Sequence, residues 1–388
     1  FPFPAVALAT PTDNASAAHA SAAASEPARR PSAAARSVRA ARAVALAAGA
    51  CLAACASVQP QPRGANAYAD FLVGRVAHQT NDYQSASARY AAALARSPQN
   101  QDLVDGAVTS ALAAGDVGGA RVAARHARAA EAPAYAHLVC AADALVAGRW
   151  AQANAELAAA HGGGAPGLAA RLLQVWARAG VRRVEAIDLD LRPLLAISPY
   201  GGLLQYQQAM ALDYAGRNAD ALRAYADAAG LSMWLPPAIE RNADLLARQG
   251  AGDQALQLLG LPANQANPEL AAAAQRLQGG GSAAAQPLTP ARGAAAVLYG
   301  LSAVYLQEHD TTDGLATLTL ALMLDSGADH ARLAFAQAQA DLHHGDIARA
   351  ALRQISPQSP YTSSARIMEA WMLVREGRRD EAIALMHA

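Results

Sequence analysis

Ala67-Tyr68-Ala69-Asp70-Phe71-Leu72-Val73-Gly74 opens a stretch that runs through Asn81-Asp82-Tyr83 to Ala86, Tyr90, Ala93, Leu94 and Pro98. Apolar residues recur at helical spacing on either side of Asn81-Asp82. The stretch therefore reads as two helices of about thirteen residues around a tight turn. Helices this short are marginal in isolation, so packing must stabilise them. Gly74 and Ala86 carry little or no side chain and let the two helices approach closely. Pro98 follows the second helix and cannot continue it.

The pattern returns along the chain. Glycine stands at Gly115, Gly148, Gly180, Gly216, Gly250, Gly345 and Gly377, mostly about 32–36 residues apart, the period of helix-turn-helix solenoids. Alanine follows five residues later at Ala120, Ala153, Ala221, Ala255, Ala350 and Ala382; only Gly180 fails, with Glu185. Seven residues before the glycine stands a small residue: Ala141, Ala209, Ala243, Ala338 and Ala370. The glycine is expected to end each first helix in the left-handed conformation. The structural positions expected of the repeat are thus Gly74, Ala86, Pro98, Ala209, Gly216, Ala221, Ala338, Gly345 and Ala350.

Composition agrees with an all-α chain. Of 388 residues, 53% are apolar and only 5% aromatic, so the core is built from alanine and leucine. Alanine loses least on entering a helix. Formal net charge is zero, and the basic side chains are all arginine, with no lysine. A neutral chain without a basic stripe argues against nucleic acid as the main ligand, since phosphate neutralisation dominates that affinity. The cysteines Cys51, Cys55 and Cys140 form no disulfide framework.

The small, small, aromatic, alanine and proline positions of 67–98 resemble the tetratricopeptide repeat. The resemblance implies a right-handed α-solenoid of antiparallel helix pairs. Units fall at about 67–100, 101–133, 134–167, 168–200, 202–235, 236–262, 295–328, 331–360 and 363–388. The fourth is the least regular, because Asp188-Leu189-Asp190-Leu191-Arg192-Pro193 breaks its second helix. Six repeats over 67–277 and three over 291–388 flank 278–290, a Gly/Pro linker expected to be flexible. That linker either separates two arrays or is an excursion within one. The phrases Tyr68-x-Asp70-Phe71-Leu72-x-Gly74-Arg75 and Arg292-Gly293-Ala294-Ala295-Ala296 are similar to tetratricopeptide lipoproteins of alphaproteobacteria, whose role is poorly established. Ala388 falls inside a second helix with no polar cap after it, so a C-terminal truncation is expected.

The N-terminal region reads as an address. Residues 1–35 are rich in Ala, Ser, Pro and Thr and are expected to be disordered. Arg36, Arg39 and Arg42 precede an apolar run from Val44 to Ala54, too short to span a bilayer and patterned like a secretory signal within 36–55. Leu52-Ala53-Ala54-Cys55 resembles a bacterial lipobox. That resemblance implies lipidation of Cys55 and, with Ala56 following, the periplasmic face of the outer membrane; 56–66 would be a tether.

No catalytic constellation stands out. Glu308-His309-Asp310 with Asp313, and His343-His344 with Asp341 and Asp346, fall at inter-helix turns where polar residues are expected. Adjacent histidines on a helix point apart and share a metal poorly. Gly162-Gly163-Gly164 and Gly279-Gly280-Gly281 lack the Lys-Ser/Thr that a phosphate loop needs. No enzyme activity, cofactor or metal is expected. In tetratricopeptide repeats the second, fifth, ninth, twelfth and thirteenth positions face the concave surface. Carried onto this chain, the resemblance implies a groove lined by Tyr68, Phe71, Arg75 and His78, by Tyr135 and Leu138, by Leu203, Tyr206, Met210, Asp213 and Tyr214, and by Arg332, Phe335 and Gln339. Tyr, Met and Arg are enriched at interfaces. The functional expectation is an envelope-anchored scaffold that binds a protein or peptide there, or else a structural accessory of an outer-membrane or polysaccharide-export complex.

Overall fold

The computed structural model describes residues 66–128, 131–160, 163–181, 200–231 and 233–387. The expected disordered, signal and tether segments, Cys55 among them, and the irregular stretch at Asp188 and Asp190 lie outside the described residues. Gly64–Ala388 forms one compact unit.

Among the described residues every regular element is a helix. The six N-terminal repeats give α1 (Ala67–Gln79), α2 (Tyr83–Arg96), α3 (Gln101–Ala113), α4 (Val117–Ala124), α5 (Ala134–Val146), α6 (Trp150–Ala159), α7 (Gly164–Gly180), α8 (Gly201–Tyr214), α9 (Asn218–Ala229), α10 (Pro236–Arg248) and α11 (Gly252–Leu259). A short α12 (Pro262–Gln265) and α13 (Pro268–Gln278) follow. Beyond residue 289 come α14 (Pro290–Gln307), α15 (Thr311–Leu324), α16 (Asp329–Asp341), α17 (Gly345–Leu352), α18 (Thr362–Arg375) and α19 (Arg379–His387). The local signals are polar caps. Asn66, Asp82, Asn100, Asp116, Asn267, Thr289 and Asp310 each accept a backbone N–H in the first turn that follows.

Consecutive helices pack as pairs, and the pairs stack along the chain as a helical repeat. Left-handed residues set its beat at Asn81, Gly115, Gly148, Gly216, Gly250, His309, His343 and Gly377. Asn81 and His343 end a first helix as glycine does elsewhere. This corrects the expected register of the eighth unit by two residues. His343, not Gly345, takes the left-handed turn, and Gly345 is instead the first residue of α17. Five residues after His343 stands Ala348, fully buried, whereas Ala350 is exposed. Seven before stands Ala336, also fully buried, whereas Ala338 keeps 8% exposure. In the irregular fourth unit, Gly180 ends α7 without a left-handed turn. A Cβ there would come within 2.5 Å of Trp150 Cδ2, so close approach explains that glycine.

Ala86, Ala209 and Ala221 are fully buried. Ala221→Leu is expected to force α8 and α9 apart and cost about 1–3 kcal/mol by overpacking. Thermal melts of parent and variant check this, and equal midpoints would contradict the register.

The first helices form an inner row in which α1, α3, α5, α7, α8 and α10 touch in sequence. The α14–α15 pair does not simply extend this row. It lies along its inner side, α14 against α8, α7 and α5, and α15 against α5 and α3. Both belong to the same hydrophobic core as α2 through α9. The residues of 279–289 are also held in place, contrary to a free linker. Ala283 is fully buried, and its carbonyl accepts from Arg276 Nη2 at 2.6 Å. Ser282 Oγ and the Ala284 amide donate to Asp244. The Ala285 amide donates to Glu240 at 3.2 Å.

Candidate functional site

The inner face is where the sequence places a groove, and the chain fills most of it itself. Tyr135 is buried on α5 and donates its hydroxyl to Asp313 Oδ1 of α15 at 2.8 Å. Burial pushes the Tyr135 hydroxyl up and, against the hydrogen bond from Tyr135, also raises Asp313. Thr319 Oγ1 donates to the Leu112 carbonyl at 2.7 Å, and Gln339 Nε2 to the Ala113 carbonyl at 2.7 Å. Tyr83 and Thr312 share a hydrogen bond of 2.9 Å. Gly293 of α14 sits directly against the indole of Trp176 on α7, where a Cβ would overlap the ring. A Cβ on Gly300 would stand 2.5 Å from Leu203 Cδ1.

The expected groove residues accordingly divide. Leu138, Leu203, Tyr206 and Met210 are buried within the chain. Tyr214 is half-buried against the same core. Arg332, Phe335 and Gln339 are buried for a different reason. With His343 as the turn, they move from groove-facing positions to core-facing ones. Phe335 packs under the turn of the second repeat: a Cβ on Gly115 would lie 2.6 Å from its Cζ. Of the expected groove residues, only Tyr68 and Arg75, both on α1, are exposed. Tyr68 is 65% exposed, and Leu72, Val73, Val76 and Arg75 are exposed beside it. Phe71 is half-buried, stacked on Tyr68 at 6.4 Å and edge-on to Tyr90 at 6.1 Å.

Two further surfaces had no counterpart in the sequence reading. One is a charged cleft of about 430 Å³ between α10, α13, the start of α16 and the 356–361 turn. Arg276 Nη2 donates to Glu240 Oε1 at 2.6 Å. His330 Nδ1 lies 3.3 Å from Glu269 Oε2, which also accepts from the Tyr361 hydroxyl at 3.1 Å. Burial, reinforced by the Glu269 carboxylate, raises the Glu240 carboxyl to about 7 against the pull of Arg276. Burial opposes charge on His330, but Glu269 holds its pKa above the usual histidine value. The other surface is an apolar trough between α18 and α19, lined by Ile367, Trp371, Val374, Ile383 and Met386.

The raised Glu240 carboxyl has a checkable sign. A carboxyl whose folded pKa lies above its unfolded value contributes stability that is complete below the unfolded value and is lost as pH rises through the folded one. For Glu240 that window runs from about 4.5 to about 7. Thermal midpoints of the parent are expected to fall across it, and Glu240→Gln is expected to flatten that fall. An unchanged slope in the variant would show that Glu240 is not the group responsible.

Among the described residues no cluster of three or more His, Cys, Asp or Glu could hold a metal. His309 and His343 serve as left-handed turn residues. No described helix is long and apolar enough to cross a membrane. Cys140 is a half-buried free thiol that burial pushes up.

No known family profile and no curated protein matches the chain. Among the solved structures to which it is similar are the following, each at 14% identity. The TPR domain of P58(IPK) aligns over 83% of this chain and 91% of that one, with a TM-score of 0.26. The Cut9–Hcn1 hetero-tetramer of APC/C aligns over 83% and 72%, with a TM-score of 0.33. Naa15/Naa10 bound to HypK-THB aligns over 82% and 68%, with a TM-score of 0.28.

Proposed function

We propose that the chain is a non-enzymatic helical-repeat scaffold that binds protein or peptide partners, anchored to the bacterial cell envelope through a lipid on Cys55. The observation that carries the binding reading is the stripe Tyr68, Leu72 and Val76 on α1, exposed along four-residue steps of one helix face. Such a stripe, flanked by Arg75, suits an interface because a contiguous apolar patch on a surface marks an interaction site. Tyr68, Phe71 and Arg75 are then the part of the groove a partner reaches.

Tyr68→Ser with Leu72→Ser is expected to leave the thermal melt within about 0.5 kcal/mol of the parent, as exposed substitutions do. It is also expected to weaken partner capture in a crosslinking pull-down from the native envelope. Undiminished capture removes α1 from the interface. Incorporation of labelled fatty acid in the bacterial host, lost on Cys55→Ser, tests the anchor; no incorporation removes it. One observation favours a second reading, a structural accessory of an outer-membrane or polysaccharide-export complex. The inner face is occupied by the chain's own α14 and α15, which leaves edges and ends for assembly contacts.

A further inference from the structure

We propose that the charged cleft between α10, α13 and the start of α16 binds a primary alkylammonium group, held by the carboxylates of Glu240 and Glu269. The inference concerns a different surface from the α1 stripe and does not depend on it.

Glu240 and Glu269 stand on different helices and line the same cleft of about 430 Å³, a size that suits a small ligand or one long side chain. Each is held by one oxygen only. Glu240 Oε1 accepts from Arg276 Nη2 at 2.6 Å and from the Ala285 amide at 3.2 Å. Glu269 Oε2 meets His330 Nδ1 at 3.3 Å and accepts from the Tyr361 hydroxyl at 3.1 Å. Among the described residues nothing donates to Glu240 Oε2 or Glu269 Oε1, and neither oxygen is sealed off, so both open into the cleft. Two free acceptors on two walls suit a compact donor, and an ammonium presents three N–H bonds from one atom. The lining also includes Met210, Pro237, Ala295 and Ala296, which suit an alkyl stem.

The cleft's own cations are committed to other oxygens. Arg241 serves Asp213 and Asp244, Arg292 lies 3.6 Å from Asp325, and Arg276 and His330 hold the opposite oxygens of the two glutamates. The chain has no lysine whose ammonium could take the place. A divalent metal ion asks for more ligands than two carboxylates, and no described cluster of three or more exists.

Binding is coupled to a proton. Burial, reinforced by the Glu269 carboxylate, raises the Glu240 carboxyl to about 7, so near neutrality about half of these carboxyls carry a proton. A bound ammonium replaces it and the proton leaves to solvent. Affinity is therefore expected to rise about tenfold between pH 6 and pH 8, and to fall once the amine deprotonates near about pH 10. Around Glu240 stand Arg241 on its own helix, Glu269 and Arg276 on α13, Arg292 on α14, and His330 with Asp325 and Asp329 at the turn into α16; α8, α9 and α11 bring no charged side chain to the cleft. Burial opposes charge on His330 but Glu269 sustains it, and its loss at higher pH acts in the same direction. Glu240→Gln separates the two.

Calorimetric titration of the intact chain with n-pentylamine, with Nα-acetyl-lysine methylamide and with pentanoate tests the inference. The expected result is saturable one-site binding of an amine with a Kd below about 1 mM, none of pentanoate, and a heat that varies with the buffer's ionisation enthalpy because a proton is released. Tighter binding of pentylamine assigns the site to a free amine; tighter binding of the lysine derivative assigns it to a lysine side chain. Glu269→Gln should weaken binding about tenfold or more, and Glu240→Gln should remove most of the proton release. Ala272→Leu, which narrows the cleft, should read the same weakening without touching either carboxylate. No saturation, equal binding of pentanoate, or unchanged affinity in both glutamine variants overturns the proposal.

Discussion

Trp176→Ala is expected to cost about 3–5 kcal/mol, the range for deleting a large buried ring. Trp176 is the largest fully buried side chain among the described residues. It stands where α7 of the inner row meets α14, with Gly293 pressed on its ring. One effect works the other way. Its indole N–H has no acceptor, and an unpaired buried donor is destabilising by about 1–3 kcal/mol, so removing it recovers part of the loss. The low end of the range is therefore expected. The sharper measurement is a double-mutant cycle. Gly293→Val alone should overlap the indole and cost about 1–3 kcal/mol. In the Trp176→Ala background the same valine enters vacated space and should cost much less, giving a coupling of about 0.5–3 kcal/mol. Denaturant melts of the four proteins measure it. Simple additivity would mean that α14 does not lie on α7, and the filled inner face would have to be abandoned.

That filled face is the part of the fold the sequence analysis did not reach, although a signal was present. Leu315-Ala316-Thr317-Leu318-Thr319-Leu320-Ala321-Leu322-Met323-Leu324 carries no charge on any side of the helix. A helix apolar all round has no solvent face and must be surrounded by protein. An ordinary repeat helix shows one apolar stripe, as α10 does, with Glu240, Arg241 and Asn242 between its apolar residues. Helix pairs were legible because their period is local. The eighth unit was misread because an alanine-rich chain offers false registers: Ala336 and Ala338, and Ala348 and Ala350, are small residues two apart. Which member of each pair is buried depends on the turn, and His343 adopts there a conformation usually left to glycine. Tyr68 and Arg75 are exposed on α1, whereas Phe71 is half-buried against Tyr90. Tyr206 and Met210 were not legible as core; they are buried on α8, which packs against α14, an element far off in sequence. The order of 279–289 was hidden for a related reason. Gly-Gly-Gly-Ser composition reads as flexible, but the Ala284 and Ala285 amides that follow it are taken up by Asp244 and Glu240 of α10.

Asp213→Ala is expected to cost about 3–5 kcal/mol, the range for removing one partner of a buried ion pair. The Asp213 side chain is 2% exposed and accepts from Arg241 at 2.9 Å and Arg248 at 2.6 Å. Arg241 is itself 13% exposed. Without Asp213 it keeps only Asp244, at 3.4 Å, and its Nε already lacks an acceptor. Asp244 also holds Ser282 and the Ala284 amide, so the strain passes to the segment that leads into α14. The contrast is Glu369→Ala. Its partner Arg353 is 70% exposed at 3.2 Å, and such surface pairs contribute about 0–1 kcal/mol. Urea unfolding of both variants, with limited proteolysis at 279–289, reads the difference. Asp213→Ala should lower the midpoint markedly and open that segment to cleavage; Glu369→Ala should do neither. Equal small losses would mean that water reaches Arg241 and that the network does not secure the inner pair. A loss from Asp213→Ala without new cleavage would place its contribution within α8 and α10 alone.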